Sequence, residues 1–316
     1  MKYREKENVK LSEKQVVGVD IGRGSVKYYS KFKEEEISGK FNAVFGTGRN
    51  GISYNLWNDP IALEVNGNLL FFGELAIKES MNQTSNIKDE KDSFVSEMLL
   101  VAALSKVART KNVKIMLGVP NRLFNKRTRE VIINKYKGKL YKFKDCVTKE
   151  NKEVYIADID IYREADSALV YMQRGKVNTK PVALVSIGFR TTELSFYEPK
   201  FKLIDKRSTS IGIGARDVLE ETRKILESER IYKTVEELDI DNTYDDRKVM
   251  GYNMIANKIE QEIDSLWVNL SELENIYLCG GTSCNTELSP TIFNRIDDPQ
   301  MATAKGLFFV GTRKFN

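Results

Sequence analysis

The sequence predicts an α/β fold made of two related domains that clamp phosphates between them. Three observations lead there. First, Val19-Asp20-Ile21-Gly22-Arg23-Gly24-Ser25-Val26-Lys27 and Val185-Ser186-Ile187-Gly188-Phe189-Arg190-Thr191-Thr192-Glu193 share one design. Each leaves an apolar run, turns at a glycine-bearing loop and returns into alternating aromatic and polar residues, the pattern of a β-hairpin. Second, such a turn gathers backbone N–H groups, hydroxyls and a cation, and clustered N–H groups form a concavity for an anion. Third, the two copies lie far apart in a chain of 316 residues, a length that fits roughly two domains of ~150 residues each.

The elements follow in order. The polar stretch Met1–Lys14 has no apolar region of the kind a signal peptide needs and reads as a disordered lead-in. Gln15–Asp20 and Val26–Phe32 form the first hairpin. Ile61–Glu64 and Leu69–Phe72 form another around Val65-Asn66-Gly67-Asn68, an Asn-Gly turn. Phe94–Arg109 reads as a helix from the spacing of Phe94, Met98, Val101, Ala102, Leu104 and Val107. Val113–Val119 is an apolar strand that ends at Gly118-Val119-Pro120. Asn125–Tyr136 is a helix, Val154–Ile161 an alternating strand, Glu164–Gln173 a helix and Val182–Ile187 a buried strand.

The second half continues alike. Lys202–Ser210 reads as a strand that ends at the turn Gly212-Ile213-Gly214, and Ala215–Ser228 as a helix. Ile231–Val249 is a charged excursion of weak periodicity. Asn253–Trp267 carries Ile255, Ile259, Ile263 and Leu266 on one helical stripe. Glu274–Leu278 is a strand running into Cys279-Gly280-Gly281-Thr282-Ser283, and Met301–Phe309 a closing helix.

Composition excludes several chemistries. The chain has no histidine and three cysteines, so there is no His base, no Ser-His-Asp triad and no His-ligated zinc. Three thiols cannot complete a four-thiolate site, and an odd count does not make a disulfide framework. A 41% hydrophobic content supports real cores, yet no apolar run reaches the ~20 residues that span a bilayer. The chain reads as cytoplasmic. The net charge of +5 is spread over lysines interleaved with acids, as in Lys31–Glu36, Lys88–Asp92 and Glu220–Glu237, which reads as solvated surface. The more basic run Lys135-Tyr136-Lys137-Gly138-Lys139-Leu140-Tyr141-Lys142 reads as surface or partner contact ahead of direct nucleic-acid binding.

The candidate site residues sit on the turns. Asp20 ends a buried strand, where a carboxylate can hold Mg²⁺ through waters. An Asp before a glycine is also an ordinary turn former, but the company of Gly22, Gly24, Ser25 and Lys27 favours the phosphate reading. Ser186, Gly188, Arg190, Thr191 and Thr192 make up the second turn, with Gly212 in the turn after it. Gly280 and Gly281, followed by Thr282, let backbone approach a flat ligand such as a purine and its sugar.

These residues together carry a resemblance. Asp20-x-Gly22 with Lys27, Glu164-Ala165, Ile187-Gly188-x-x-Thr191-Thr192 and Gly280-Gly281-Thr282 look like the superfamily of actins, heat-shock chaperone ATPases and sugar kinases. Phe72-Gly73-Glu74-Leu75-Ala76, Leu117-Gly118-Val119-Pro120 and Asp298-Pro299-Gln300-Met301-Ala302-Thr303-Ala304-Lys305-Gly306 resemble the bacterial actin-like ParM family of plasmid-segregation ATPases and its archaeal relatives.

The resemblance implies the actin-like ATPase fold, two RNase-H-like domains around a nucleotide cleft. Residues 15–163 with 300–316 would form domain I, and 164–299 domain II. It implies hydrolysis of ATP or GTP with Mg²⁺, polar filaments built from copies of this chain, and plasmid DNA segregation through a ParR-like, DNA-bound adaptor rather than direct DNA binding. Asp20 would be the metal-side and catalytic aspartate, and Glu164 would position the attacking water. Gly22, Gly24, Ser25 and Lys27 would hold one phosphate, and Ser186, Gly188, Arg190, Thr191 and Thr192 another. Gly280, Gly281 and Thr282 would face the adenosine, with Lys258 and Glu262 near base and ribose. Ser186 departs from the family's usual aspartate, which implies slow hydrolysis or a load carried by Asp20, Glu164 and Asp166. A cytoskeletal filament with another cargo, or a small-molecule kinase of the same superfamily, is the alternative.

Overall fold

The structure, a computed structural model, describes residues 14–86, 90–173 and 178–315. The expected lead-in falls on residues 1–13, outside the described residues. The chain order is β1 (Gln15–Ile21), β2 (Ser25–Phe32), β3 (Glu35–Asn42), β4 (Val44–Thr47), β5 (Ile61–Val65), β6 (Asn68–Phe72), α1 (Glu74–Glu79) and β7 (Gln83–Ser85). Then come α2 (Phe94–Val107), β8 (Asn112–Val119), α3 (Lys126–Tyr136), β9 (Leu140–Asp145), β10 (Asn151–Arg163) and α4 (Glu164–Met172). The second half runs β11 (Val182–Ile187), β12 (Thr192–Glu198), β13 (Lys202–Leu203), β14 (Thr209–Ile211), α5 (Ala215–Ser228), α6 (Val235–Ile240), α7 (Asp245–Leu266), β15 (Asn275–Cys279), β16 (Phe293–Arg295) and α8 (Ala302–Phe315).

Among the described residues these strands form two sheets with a common plan. The first begins β3-β2-β1-β8-β10, and the second reads β13-β12-β11-β15-β16. In both, three strands meander antiparallel and two more join parallel to the first. The first sheet alone continues into β9-β5-β6-β4-β7, a lobe tightened by the Asn66-Gly67 turn, whose residues both take positive φ.

Burial follows from the sequence pattern. β1 and β8 are apolar on both faces, as strands in the middle of a covered sheet must be. α2 forms where the apolar spacing placed a helix. It is buried almost all round from Met98 to Val107, with only its Phe94 end strongly exposed. α8 returns from the far end of the chain to pack on β1, β8 and α4. Two glycines permit that: a Cβ on Gly18 would lie 2.3 Å from the Ala304 carbonyl oxygen, and one on Gly306 would lie 1.7 Å from that of Ser167. The closing helix runs past the expected Phe309 to Phe315.

Two other expectations need correction. Lys202–Ser210 is not one strand: β13 and β14 are separated by a 3₁₀ turn at Asp205–Arg207, where Ser208 Oγ donates to the Ile204 carbonyl. The charged excursion at 231–249 is largely helical. It holds α6, capped by Thr234 and Glu237, and the first turns of α7. Among the described residues, no helix is long and apolar enough to cross a membrane.

Candidate functional site

The two expected turns close in the same way. Gly22 N–H donates to the Ser25 carbonyl at 3.0 Å, and Gly188 N–H to that of Thr191 at 2.9 Å. Each follows a matched hairpin pair, Ile21 with Val26 and Ile187 with Thr192. The turns face each other, so that a Cβ on Gly24 would strike the Phe189 ring at 2.6 Å. Between and beside them lies a cleft cavity of about 460 Å³.

The second turn is anchored by its carbonyls. The Gly188 carbonyl accepts from Thr282 Oγ1 at 2.8 Å and from Ala215 N–H, and that of Phe189 accepts from Arg216 N–H at 2.7 Å. In a trans peptide the N–H points away from the C=O. The Phe189 and Arg190 amides thus point away from α5, as an anion cradle requires. At α5's own start, Asp217 accepts from the Gly214 N–H at 2.9 Å, so sequence caps the helix against the turn.

The first turn is anchored from a segment that sequence reasoning read as solvated surface. Lys91 is only 4% exposed. Its amine donates to the Ile21 carbonyl at 2.6 Å and pairs with Glu164 Oε1 at 3.1 Å. Asn86 donates to the Gly22 carbonyl at 3.0 Å. Asp20, 5% exposed, pairs with Lys27 at 3.0 Å.

Glu164 begins α4 directly after β10, and Gly118 on β8 leaves room for it: a Cβ there would sit 3.0 Å from Glu164 Cγ. Desolvation in the cleft raises the Glu164 carboxyl above its ordinary value; Lys91 opposes the rise and Asp20 adds to it.

The cleft brings together Asp20, Gly22, Gly24, Ser25, Lys27 and Glu164. Ser186, Gly188, Arg190 and Thr191 line it from the second turn, and Gly280, Gly281 and Thr282 from beside that turn. Four expected residues lie elsewhere. Thr192 is buried and donates to the Ile213 carbonyl at 2.8 Å, which ties β12 to the next turn. Gly212 is exposed and outside the lining. Lys258 and Glu262 are exposed in the second half of α7, a helix that starts at Asp245 rather than the expected Asn253, and neither lines the cleft. The α7 residues that do line the cleft are Asp245, Lys248 and Tyr252. Lys248 is buried, donating to the Asp241 carbonyl and pairing with Asp245 at 2.8 Å. Asp166 is also removed from the cleft: it accepts from Tyr197 Oη at 2.7 Å and pairs with Arg163. Residues missed by sequence reasoning include Lys40, Asn42, Lys91, Glu193 and Asp239. Only Glu193 lay within a quoted motif.

Among the described residues, no group of three or more His, Cys, Asp or Glu side chains is placed to hold a metal. A lone carboxylate such as Asp20 still fits Mg²⁺, which keeps most of its waters and travels on phosphates.

Comparison with known proteins agrees with this geometry. Residues 18–165 match the family described as actin like proteins, N terminal domain. No curated protein matches the chain in sequence. A 15-stranded ParM filament from Clostridium botulinum aligns at TM-score 0.78 and 18% identity, over 95% of this chain and 99% of its own. An archaeal actin homologue in complex with ADP aligns at 0.77 and 17%, over 95% and 99%. Bacillus thuringiensis ParM with ATP aligns at 0.71 and 15%, over 96% and 99%. The chain therefore has the actin-like ATPase fold, with an actin-like N-terminal domain at 18–165 and ParM and archaeal actin-like proteins as its structural neighbours.

Proposed function

We propose that this chain is a cytoplasmic, filament-forming actin-like protein that binds and hydrolyses ATP or GTP with Mg²⁺ and moves plasmid DNA through a DNA-bound adaptor. The observation that carries the reading is the pair of facing turns, closed by the same hydrogen bond, with Asp20, Lys27 and Glu164 at their junction. The relatives named above include one with ADP, one with ATP and one assembled as a filament.

In this reading the two domains, 15–163 with 300–316 and 164–299, close on one nucleotide. The turn amides and Lys27 take the phosphates, and Gly280, Gly281 and Thr282 let the nucleoside lie against backbone. Asp20 holds the hydrated Mg²⁺, which would neutralise phosphate charge. Glu164, held by Lys91, orients the attacking water. A nucleotide touching both domains stabilises the closed state in proportion to its differential affinity for it, and the closed state presents the filament contacts.

The test is sedimentation and light scattering of the purified protein with ATP or GTP and Mg²⁺. Pelleting and scattering should rise with triphosphate and fall as phosphate is released. No assembly under either nucleotide, across salt concentrations, would overturn filament formation. Nucleotide bound without assembly would leave the small-molecule kinase as the reading to pursue.

A further inference from the structure

β10 is longer than the strand that covers it. On one side it pairs with β8 along 155–163. On the other, β9 reaches only 151–155, and the backbone of Gly138 and Lys139 takes up Ile156. A register shift follows between Ile156 and Asp158. Among the described residues, no strand pairs with 158–163 on the side away from β8. Such a side offers a row of backbone N–H and C=O groups to any other extended chain. The outer strands elsewhere are blunted by length or by charge. β7, β13, β14 and β16 have three residues or fewer, and β3 exposes Glu35, Glu36 and Lys40.

The open stretch of β10 is blunted on its backbone. Ile159 N–H donates to Asp158 Oδ1 at 3.0 Å, and Ile161 N–H to Asp160 Oδ1 at 2.9 Å. Backbone groups two residues apart point to the same side of a strand, so both capped amides belong to one edge. An N–H taken by the preceding side chain is not paired with β8, so that edge is the open one.

The two carboxylates are held from both faces of the sheet. α3 lies on the face of Ile159 and Ile161, since its Ile132 and Tyr136 join their cluster. α8 lies on the other face, with Val16 and Tyr29, whose neighbours Val17 and Tyr28 belong to the first cluster. Yet Arg129 of α3 bonds both oxygens of Asp160, at 2.6 and 2.8 Å, and Lys314 of α8 lies 3.6 Å from it. Lys137, just past α3, pairs with Asp158 at 2.9 Å. Cations from both faces therefore meet at the edge. Burial alone would raise the Asp160 carboxyl, but Arg129, the Ile161 amide and Lys314 hold it below its ordinary value. It stays charged, and so stays an acceptor.

We propose that Asp158 and Asp160 guard this edge: they occupy the amides that an extended strand of a second copy would use, and so keep copies of this protein from joining sheet to sheet. Edge pairing would compete with the ordered self-association proposed above. The guard itself needs neither nucleotide nor filament.

The test uses the full chain without nucleotide. Asp158→Ala combined with Asp160→Ala removes both caps. In size-exclusion chromatography the variant should lose its monomer peak as concentration rises, while the parent elutes as a monomer. Hydrogen exchange should find the Ile159 and Ile161 amides unprotected in the dilute variant and protected again in the associated material. A folded variant that stays monomeric at every concentration would overturn the proposal. So would association that leaves those two amides exchanging freely, because the contact would then lie elsewhere. Asp160 is buried among cations, and its loss can unfold the chain, which circular dichroism reads. In that case Asp158→Ala alone decides, at a side chain 36% exposed. It frees the Ile159 amide and should associate more slowly than the double variant. A monomer with parental exchange at Ile159 would overturn the proposal. A parent that fails to assemble with nucleotide would overturn the filament reading and leave this one standing.

Discussion

Glu164 shows how a single side chain is prepared for a task. It sits on the first residue of α4, where it has room because β8 carries Gly118 next to its last residue, and where Lys91 supplies a buried cation at 3.1 Å. Replacing it with alanine would leave Lys91 with the Ile21 carbonyl alone, so the cleaner test is Glu164→Gln, which keeps shape. Phosphate release should fall by ~10²–10⁴ with nucleotide Kd little changed, and filaments should persist longer. An unchanged release rate in a single-turnover assay would remove Glu164 from the chemistry. The residue itself was legible from its motif, whereas its partner was not. Lys91 belongs to a run in which lysines alternate with acids, and such runs are solvated far more often than buried. Nothing local marks Lys91 as buried. It is held because Tyr136, from α3, donates to its carbonyl at 2.6 Å, a contact that no short window of sequence contains.

At the scale of elements, the legible parts were those whose residues settle their own geometry. Ala215–Ser228 and Val182–Ile187 have the expected bounds, since Gly214 and Asp217 cap the one and an unbroken apolar run defines the other. β3 was missed because its edge position leaves Glu35, Glu36 and Ser38 exposed, with only Ile37 fully buried. β9 was hidden inside the basic run, whose lysines are matched by acids on neighbouring elements: Lys135 and Lys139 with Glu97, Lys137 with Asp158, Lys142 with Glu153. The misplaced Lys258 and Glu262 follow from a helix start read two turns late. Without the early turns of α7, the charges at the cleft could not be seen as Asp245 and Lys248. Close packing sets the prediction at this scale. The Gly306→Ala methyl would enter the space of the Ser167 backbone, 1.7 Å from its carbonyl oxygen, which no side-chain rotation relieves. Separation of α4 and α8 should lower stability by roughly 1–3 kcal/mol or more. Urea unfolding of the nucleotide-free variant measures it, and a midpoint equal to the parent's would show that the two helices move apart freely.

Across the whole molecule, strands of the first sheet meet α6 at the cleft mouth, as the two turns meet at Gly24 and Phe189. Asn42 ends β3 beside Ser25 of the first turn, and its amide donates to Asp239 on α6 at 3.0 Å. Ser85 of β7 reaches Glu236 of the same helix at 3.5 Å, and Ile240 packs against the cluster built on Val44, Phe71 and Leu75. Closing the cleft thus forms a small mixed contact whose polar centre is the Asn42–Asp239 bond. Burial raises the Asp239 carboxyl above its ordinary range, while Lys248, the Asn42 hydrogen bond and Lys40 oppose the rise. A hydrogen bond to a charged group contributes about 1.5–3 kcal/mol. Asn42→Asp removes the donor and sets a second carboxylate against the first, so it should favour the open cleft. If the latch holds nucleotide, release should accelerate by roughly tenfold to a hundredfold at neutral pH or above, read by chasing a fluorescent nucleotide with unlabelled ATP. The sign of the pH dependence follows from the pair. Two facing carboxylates take up a proton together more readily than either alone. As pH falls, the shared proton restores a hydrogen bond and the variant's release rate should approach the parent's; as pH rises, the proton is lost and the rates should diverge. A constant ratio of the two rates across pH would mean that the cleft mouth is held by the Ile240 contact, with Asn42 and Asp239 only its neighbours.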